Sequence, residues 1–75
     1  MTEGKQQIAN RIAEIISTAR KREGYSYYEL SKRTGINTAQ LIRIESGENI
    51  PRADTLMKIC SELAIQIKLP DLVRI

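Results

Sequence analysis

The sequence predicts an all-α fold of four to five short helices followed by a short β-strand. Apolar residues recur every three or four positions along most of the chain, and capping residues and glycines separate the segments that carry them. Near the C-terminus the pattern changes to strict alternation, which is typical of a strand. Because 75 residues with 41% hydrophobic content allow one small core, we expect a single domain over residues 1–75, with its core in 8–64 and a tail in 65–75.

The first helix is predicted from about Gln6 to Glu23. It carries one apolar stripe, formed by Ile8, Ile12, Ile15, Ile16 and Ala19. Gly24 is expected to end this helix, since glycine adopts the left-handed backbone of a helix C-terminus without steric cost.

Two shorter helices follow, predicted over Tyr27–Thr34 and Thr38–Ser46. Each begins with a capping box, in which a small polar residue precedes a Glu or Gln by three positions: Ser26 with Glu29, and Asn37 with Gln40. Gly35 lies between the helices and can turn the chain sharply. The segment therefore predicts a helix-turn-helix with a turn of about three residues.

The second helix of this motif has two distinct faces. Leu41 and Ile44 lie three positions apart and are expected to point into the core. The helical repeat then places on the outer side Ala39, Arg43 and Ser46, with Ile42 beside them and Thr38 and Gln40 in the exposed first turn.

A fourth helix is predicted from about Ala53 to Leu63, after the boundary at Pro51 and with Asp54 favourably placed in its first turn. Its inward-facing residues are Leu56, Ile59, Cys60 and Leu63. Cys60 is expected to be a buried structural thiol; the alternative is a redox sensor.

Composition argues against several classes of function. One cysteine and no histidine leave no internal disulfide framework, no zinc finger and no histidine-based catalysis, so we expect no enzyme, no metal and no cofactor. No apolar run of about 18 residues and no secretion signal is evident, which predicts a cytoplasmic protein. The net charge of +3 favours a polyanionic partner only slightly, because 12 basic residues are offset by 9 acidic ones.

One segment resembles the phage-repressor and Cro type of helix-turn-helix, known as the XRE family: ARKREGYSYYELSKRTGINTAQLIRIESGENIPRADTLMKICSELA. The resemblance covers roughly Ile12 to Leu69. It rests on residues at consistent spacing, which are Arg20, Gly24, Ser26, Glu29, Leu30, Gly35, Leu41, Ile44, Glu45, Gly47, Pro51, Leu56 and Leu63. The resemblance implies a lambda-repressor-like fold and a DNA-binding transcriptional regulator of prokaryotic or phage origin.

The resemblance also implies which residues contact DNA bases. Arg43 occupies the family's exposed arginine position on the recognition helix, and a guanidinium can bind guanine O6 and N7 together. A solvated arginine is the alternative. We expect five further residues of this helix to face DNA, namely Thr38, Ala39, Gln40, Ile42 and Ser46. Two of these have alternatives, because Gln40 could serve its cap and Ile42 could be half-buried against a neighbouring helix.

Contacts to phosphate are expected from polar side chains around the recognition helix: Tyr27, Tyr28, Lys32, Arg33, Asn49 and Arg52. A plain solvated role is equally open for Lys32. Tyr27 stands where the family usually has a glutamine. Glu48 stands where the family usually has lysine or arginine, which should weaken binding unless Asn49 and backbone amides compensate. Arg20 and Glu45 match a pair that orients the recognition helix in the family, so we expect a structural ion pair.

The alternating segment runs Ile65-Gln66-Ile67-Lys68-Leu69 and ends at Pro70. A lone strand leaves its backbone groups unpaired. We therefore expect Ile65, Ile67 and Leu69 to belong to an intermolecular antiparallel pair in a twofold homodimer. Such strands recur among the prophage regulators and antitoxins that the chain resembles. The alternative is an irregular continuation of the helix in a monomer.

Two functions from different classes follow. The first is a sequence-specific regulator of double-stranded DNA, expected to be a repressor that acts as a homodimer on an inverted-repeat operator through the major groove. The alternative is a protein-interaction module, in which the tail or the Tyr27–Tyr28 surface binds a protein partner such as a toxin.

Overall fold

A computed structural model of the protein describes residues 3–65. This part of the chain contains four helices: α1 (Glu3–Glu23), α2 (Tyr27–Thr34), α3 (Thr38–Glu45) and α4 (Ala53–Leu63). The predicted all-α fold is confirmed within these residues. The helix boundaries differ from the prediction only in that α1 begins before Gln6 and α3 ends before Ser46. Within the same part of the chain, no helix is both long and apolar enough to cross a membrane.

The predicted caps begin both motif helices, but each forms only half of its capping box. The Ser26 hydroxyl accepts the Glu29 amide at 3.0 Å, and the Asn37 Oδ1 accepts the Gln40 amide at 2.8 Å. The Glu29 carboxylate is paired with Arg33 at 3.3 Å. Among residues 3–65 no hydrogen bond joins the Gln40 side chain to Asn37, so that amide group is not used as a cap.

The turn between α2 and α3 is closed by a glycine and a buried threonine. Gly35 has a φ of 78°, and its amide donates to the Ser31 carbonyl at 2.8 Å. The Thr34 hydroxyl donates to the Leu30 carbonyl at 2.8 Å and accepts the Ile36 amide at 3.2 Å. The Gly35 amide, the Ile36 amide and the Thr34 hydroxyl therefore all have partners inside the protein, and these bonds hold the turn between the two helices.

The core draws on all four helices. Its largest fully buried side chains are Ile12, Ile16, Leu30, Leu41, Ile44, Ile59 and Leu63. The predicted inward positions of α3 are therefore confirmed. Ile15 and Leu56, by contrast, are only half-buried. Cys60 is also half-buried instead of fully enclosed, and this burial raises the pKa of its thiol.

Ile65, the first residue of the predicted strand, lies at the end of α4. Ala64 takes a left-handed φ of 54°, which lets the Ile65 amide donate to the Cys60 carbonyl at 2.9 Å. Ile65 also packs its half-buried side chain against the core. The Ile65 amide thus caps α4, while the pairing of Ile65 with a second copy stays a prediction. The rest of the predicted strand, which includes Ile67 and Leu69, lies outside the described residues.

Candidate nucleic-acid interface

The outer face of α3 holds the predicted base-contacting side chains together. Four of them are exposed: Ala39, Ile42, Arg43 and Ser46. Ile42 is 47% exposed, which argues against burial beneath a neighbouring helix. Thr38 and Gln40 are partly exposed in the first turn of the helix. The outer face of α3 therefore presents polar and apolar side chains next to each other.

Arg43 is the charged group of this face. Its guanidinium makes no ion pair or hydrogen bond with any side chain in residues 3–65, whereas its carbonyl accepts the Ser46 hydroxyl at 2.9 Å and the Glu48 amide at 3.1 Å. The backbone of Arg43 is held in place while its side chain remains available to an external acceptor. A guanidinium in this state suits a base edge or a phosphate.

Behind that face, α3 is tied to α1 by an ion pair between Arg20 and Glu45. The Arg20 Nε and Nη2 donate to the two Glu45 carboxylate oxygens at 2.8 and 3.1 Å. The Arg20 Nη1 donates to the Tyr25 carbonyl at 2.8 Å. The hydrogen bond to Glu45 is the main reason that the pKa of Arg20 is raised. The pair implied by the family resemblance is therefore present, and it fixes the orientation of α3.

Tyr27 supports this ion pair. Its half-buried ring lies under the Arg20 guanidinium, with 4.2 Å between the Arg20 Cζ and the ring centroid. A cation over an aromatic face is attracted by the ring quadrupole, more strongly where water is excluded. Tyr27 therefore packs against the core of the motif in addition to standing at the start of α2.

The remaining aromatic and basic side chains of α2 differ in availability. Tyr28 is 67% exposed, with the Lys32 ammonium 5.5 Å from its ring centroid. Arg33 is engaged on both sides, since it pairs with Glu29 and its Cζ lies 4.4 Å from the Tyr25 ring centroid. Tyr28 and Lys32 remain available for a phosphate, whereas Arg33 would first have to release these partners.

The loop after α3 forms one wall of a groove beside the recognition helix. The groove is lined by Gln40 of α3, by Glu48, Asn49 and Arg52 of the loop, and by Lys5 of α1, among other residues. Arg52 is almost fully exposed, and its Nε lies 3.8 Å from the Asp54 carboxylate, too far for a hydrogen bond. The sequence pattern contained no signal for Lys5, because its place in this groove depends on how α1 packs in three dimensions.

Comparison with known proteins adds the decisive observation. A helix-turn-helix family model matches residues 16–69. The chain belongs to this helix-turn-helix family, whose members are DNA-binding regulators of the XRE, or Cro and lambda-repressor, type. No curated protein and no solved structure matches the chain.

Family membership indicates how α2 and α3 of this XRE-type regulator meet DNA. Helix-turn-helix proteins place the second motif helix in the major groove, with its N-terminal residues at the base edges. In this regulator that helix is α3, which presents the outer face described above. The family is one of DNA-binding domains and not of enzymes. Within residues 3–65 no three acidic or cysteine side chains are grouped where they could hold a metal ion.

Proposed function

We propose that this XRE-type regulator is a repressor that binds an inverted-repeat operator as a homodimer, in the cytoplasm of a prokaryotic cell. The observation that carries the proposal is the contrast between two charged residues of α3. The Glu45 side chain is 2% exposed and bound to Arg20, which holds the helix on the domain. Arg43 is exposed and has no side-chain partner among residues 3–65. A rigid helix that presents an available guanidinium is suited to sequence recognition.

The side chains of α3 divide between two kinds of base contact. Arg43, Thr38 and Gln40 would donate or accept hydrogen bonds at base edges. Ala39 and Ile42 would contact apolar groups such as the thymine methyl. The Ser46 hydroxyl donates to the Arg43 carbonyl, so Ser46 would stabilise the C-terminal end of α3 beside the DNA.

Contacts to phosphate would surround these base contacts. We assign them to available side chains of α2 and of the loop before α4, which are Tyr28, Lys32, Asn49 and Arg52. Such contacts fix the register of a protein on the duplex but carry no sequence information themselves. Tyr27 would contribute mainly through its ring under Arg20.

Selection of bound duplexes from a random pool tests this function. An enriched inverted repeat with half-site centres about 10 base pairs apart would support a twofold dimer on an operator. Failure to enrich any motif, with duplex affinity independent of sequence, would refute it.

Substitutions of Arg43 then test the recognition residue. Arg43→Ala should weaken operator binding by about 1–3 kcal/mol and relax the preference at one base pair of each half-site. Arg43→Lys keeps the charge but loses the planar fork, so it should lose the same preference while retaining the salt dependence of binding. If Arg43→Ala weakens binding but keeps the preference at every base pair, Arg43 is a phosphate contact.

Dimerisation is tested by removing residues 66–75. The deletion should begin after Ile65, since the amide of that residue caps α4. A supporting feature is the groove where the described chain ends, which combines the apolar residues Ile15, Ala19, Ala64 and Ile65 with the polar residues Arg11, Glu14, Thr18 and Arg22. We expect sedimentation to give the dimer mass for the full chain and the monomer mass for the shortened one. An unchanged mass in a variant that still melts cooperatively would refute a dimer held by the tail.

The alternative function, binding of a protein partner such as a toxin, has narrower support. Of the two tyrosines at the start of α2, only Tyr28 is largely exposed, so the apolar surface offered there is small. A partner protein bound with little dependence on salt, together with the absence of duplex binding, would favour this alternative.

A further inference from the structure

The first two turns of α1 are fastened to the loop that follows α3. The Gln6 Nε2 donates to the Gly47 carbonyl at 3.1 Å and to the Asn10 Oδ1 at 2.9 Å. Gly47 is buried there with a φ of 81°, and a Cβ on it would lie only 2.7 Å from the Asn10 Oδ1. The start of α1 is therefore not a free arm but a fixed part of the surface beside α3.

This attachment brings Lys5 into the groove beside the recognition helix. Lys5 is exposed and lines that groove together with Gln40 of α3 and with Glu48, Asn49 and Arg52 of the loop. Two cationic side chains thus share the groove with one carboxylate. The positive charge of Lys5 comes from a part of the chain outside the family match, which covers residues 16–69.

We propose that Lys5 is a further phosphate contact of this regulator, placed beside the first turn of α3 where the DNA backbone passes the groove. The proposal rests on the proposed mode of DNA binding by α3. A lysine ammonium binds phosphate as a point charge, so it needs nearness to the backbone and not a fixed fork. Lys5 would also offset Glu48, which is the acidic departure from the family pattern in this groove.

A salt series on Lys5→Gln tests the contact, with the full chain and a duplex of fixed sequence. Loss of one phosphate contact lowers the slope of log affinity against log salt by about 0.9. From a reference at 1 M salt, that slope corresponds to about an eightfold loss of affinity at 0.1 M. The ratio of specific to non-specific affinity should stay constant, because a phosphate contact carries no sequence information.

Lys58→Gln is the matched control. Lys58 is an exposed lysine whose groove is formed with Arg33, Thr34, Ser61 and Glu62, at the last turns of α2 and α4. That groove shares no residue with the groove of Lys5, and none of its residues is among the base and phosphate contacts of the proposed function. We expect Lys58→Gln to keep both the slope and the affinity of the unchanged protein. An equal effect of the two substitutions would overturn a specific role for Lys5.

A second variant makes the test independent of any weakening of α1. Only the backbone amide of Glu48 enters the described hydrogen bonds, so Glu48→Gln should leave the fold intact. If the groove faces phosphate, Glu48→Gln strengthens duplex binding severalfold at low salt while Lys5→Gln weakens it. Unchanged affinity in both variants would overturn the proposal, and so would a weaker Lys5→Gln whose slope is unaltered.

Amine labelling distinguishes this proposal from the proposed function as a whole. With a duplex at low salt, acylation of Lys5 should slow on complex formation while acylation of Lys58 is unchanged. Unslowed labelling of Lys5 in a protein that demonstrably binds duplex would refute the Lys5 contact alone. No duplex binding by the unchanged protein, even at low salt, would refute the proposed function together with it.

Discussion

Replacing Glu45 by glutamine removes the charge of the carboxylate that holds α3 against α1. The Glu45 side chain is 2% exposed and that of Arg20 is 11% exposed, so water cannot replace the lost carboxylate around the guanidinium. Glutamine has the same shape as glutamate, but one of its two terminal atoms is an NH2 group that cannot accept a hydrogen bond. One of the two Arg20 hydrogen bonds, which are 2.8 and 3.1 Å long, is therefore lost. Breaking a buried pair in this way typically costs about 3–5 kcal/mol.

That cost is large for a domain of this size. Native domains have stabilities of about 0.05–0.15 kcal/mol per residue, which for a chain of 75 residues is about 4–11 kcal/mol. Glu45→Gln should therefore remove about a quarter or more of the free energy of unfolding. Urea denaturation followed by circular dichroism measures this loss, provided that the dependence on urea keeps the same slope.

Glu29→Gln serves as the matched control for this measurement. Its carboxylate pairs with Arg33 at 3.3 Å, and both side chains are more than 40% exposed. Exposed pairs contribute about 0–1 kcal/mol, so Glu29→Gln should change the stability little. If Glu45→Gln costs no more than Glu29→Gln, then burial does not govern the strength of the inner pair and the reasoning is wrong.

The double variant Arg20→Met with Glu45→Leu gives a second check. Removing both charges leaves no buried charge unpaired, so much of the stability lost in Glu45→Gln should return. Part of the loss will remain, because the double variant also gives up the Arg20 contacts to the Tyr25 carbonyl and the Tyr27 ring. A double variant less stable than Glu45→Gln would contradict this account.

Four further substitutions test the backbone and the thiol. Gly47→Ala should lower the free energy of unfolding by about 1–3 kcal/mol in a thermal melt, because φ is 81° and the new Cβ meets Asn10. Gly24→Ala is the control: its φ is 75° but no atom lies near the new Cβ, so its free energy of unfolding should fall by less. Ala64→Gly should stabilise the domain by about 0.5–1 kcal/mol, because Ala64 holds a left-handed φ of 54° that glycine adopts freely; a lower melting temperature would contradict this. Burial raises the pKa of the Cys60 thiol above its ordinary value of 9.0, so the unfolded chain loses this proton first and stability should fall as pH rises past that value. Cys60→Ala should lack that component of the alkaline loss in urea titrations, and identical pH profiles would contradict it.

The local signals in the sequence were enough to predict the helix-turn-helix. Ser26, Gly35 and Asn37 act on residues within four positions of themselves, so their effects could be inferred without any knowledge of tertiary structure. The faces of α3 followed from the same periodicity. The second half of each capping box did not form, and for Glu29 the competing interaction was also local, since Arg33 stands four positions away on the helix.

The features that could not be predicted depend on distant contacts. Gln6 and Gly47 are 41 positions apart, and only the packing of α1 brings them together. No periodicity or motif marks Lys5, because its role depends on which loop lies beside it. Ile65 shows the related difficulty at a boundary, because the alternating pattern did not reveal that its amide caps α4 through the left-handed Ala64.

The two departures from the family pattern are better explained together than separately. Tyr27 stands where the family usually has a glutamine that reaches phosphate, and its ring here lies under Arg20 and shields the ion pair that orients α3. A side chain held in that position is less able to reach the backbone, and Glu48 removes a second positive contact from the usual site. We therefore expect the anchoring of this regulator to shift toward Tyr28, Arg52 and Lys5 on either side of α3. Because their contributions to the salt dependence should add, the combined variant Lys5→Gln with Arg52→Gln should lower the slope by about 1.8, and a smaller change would place the DNA backbone elsewhere.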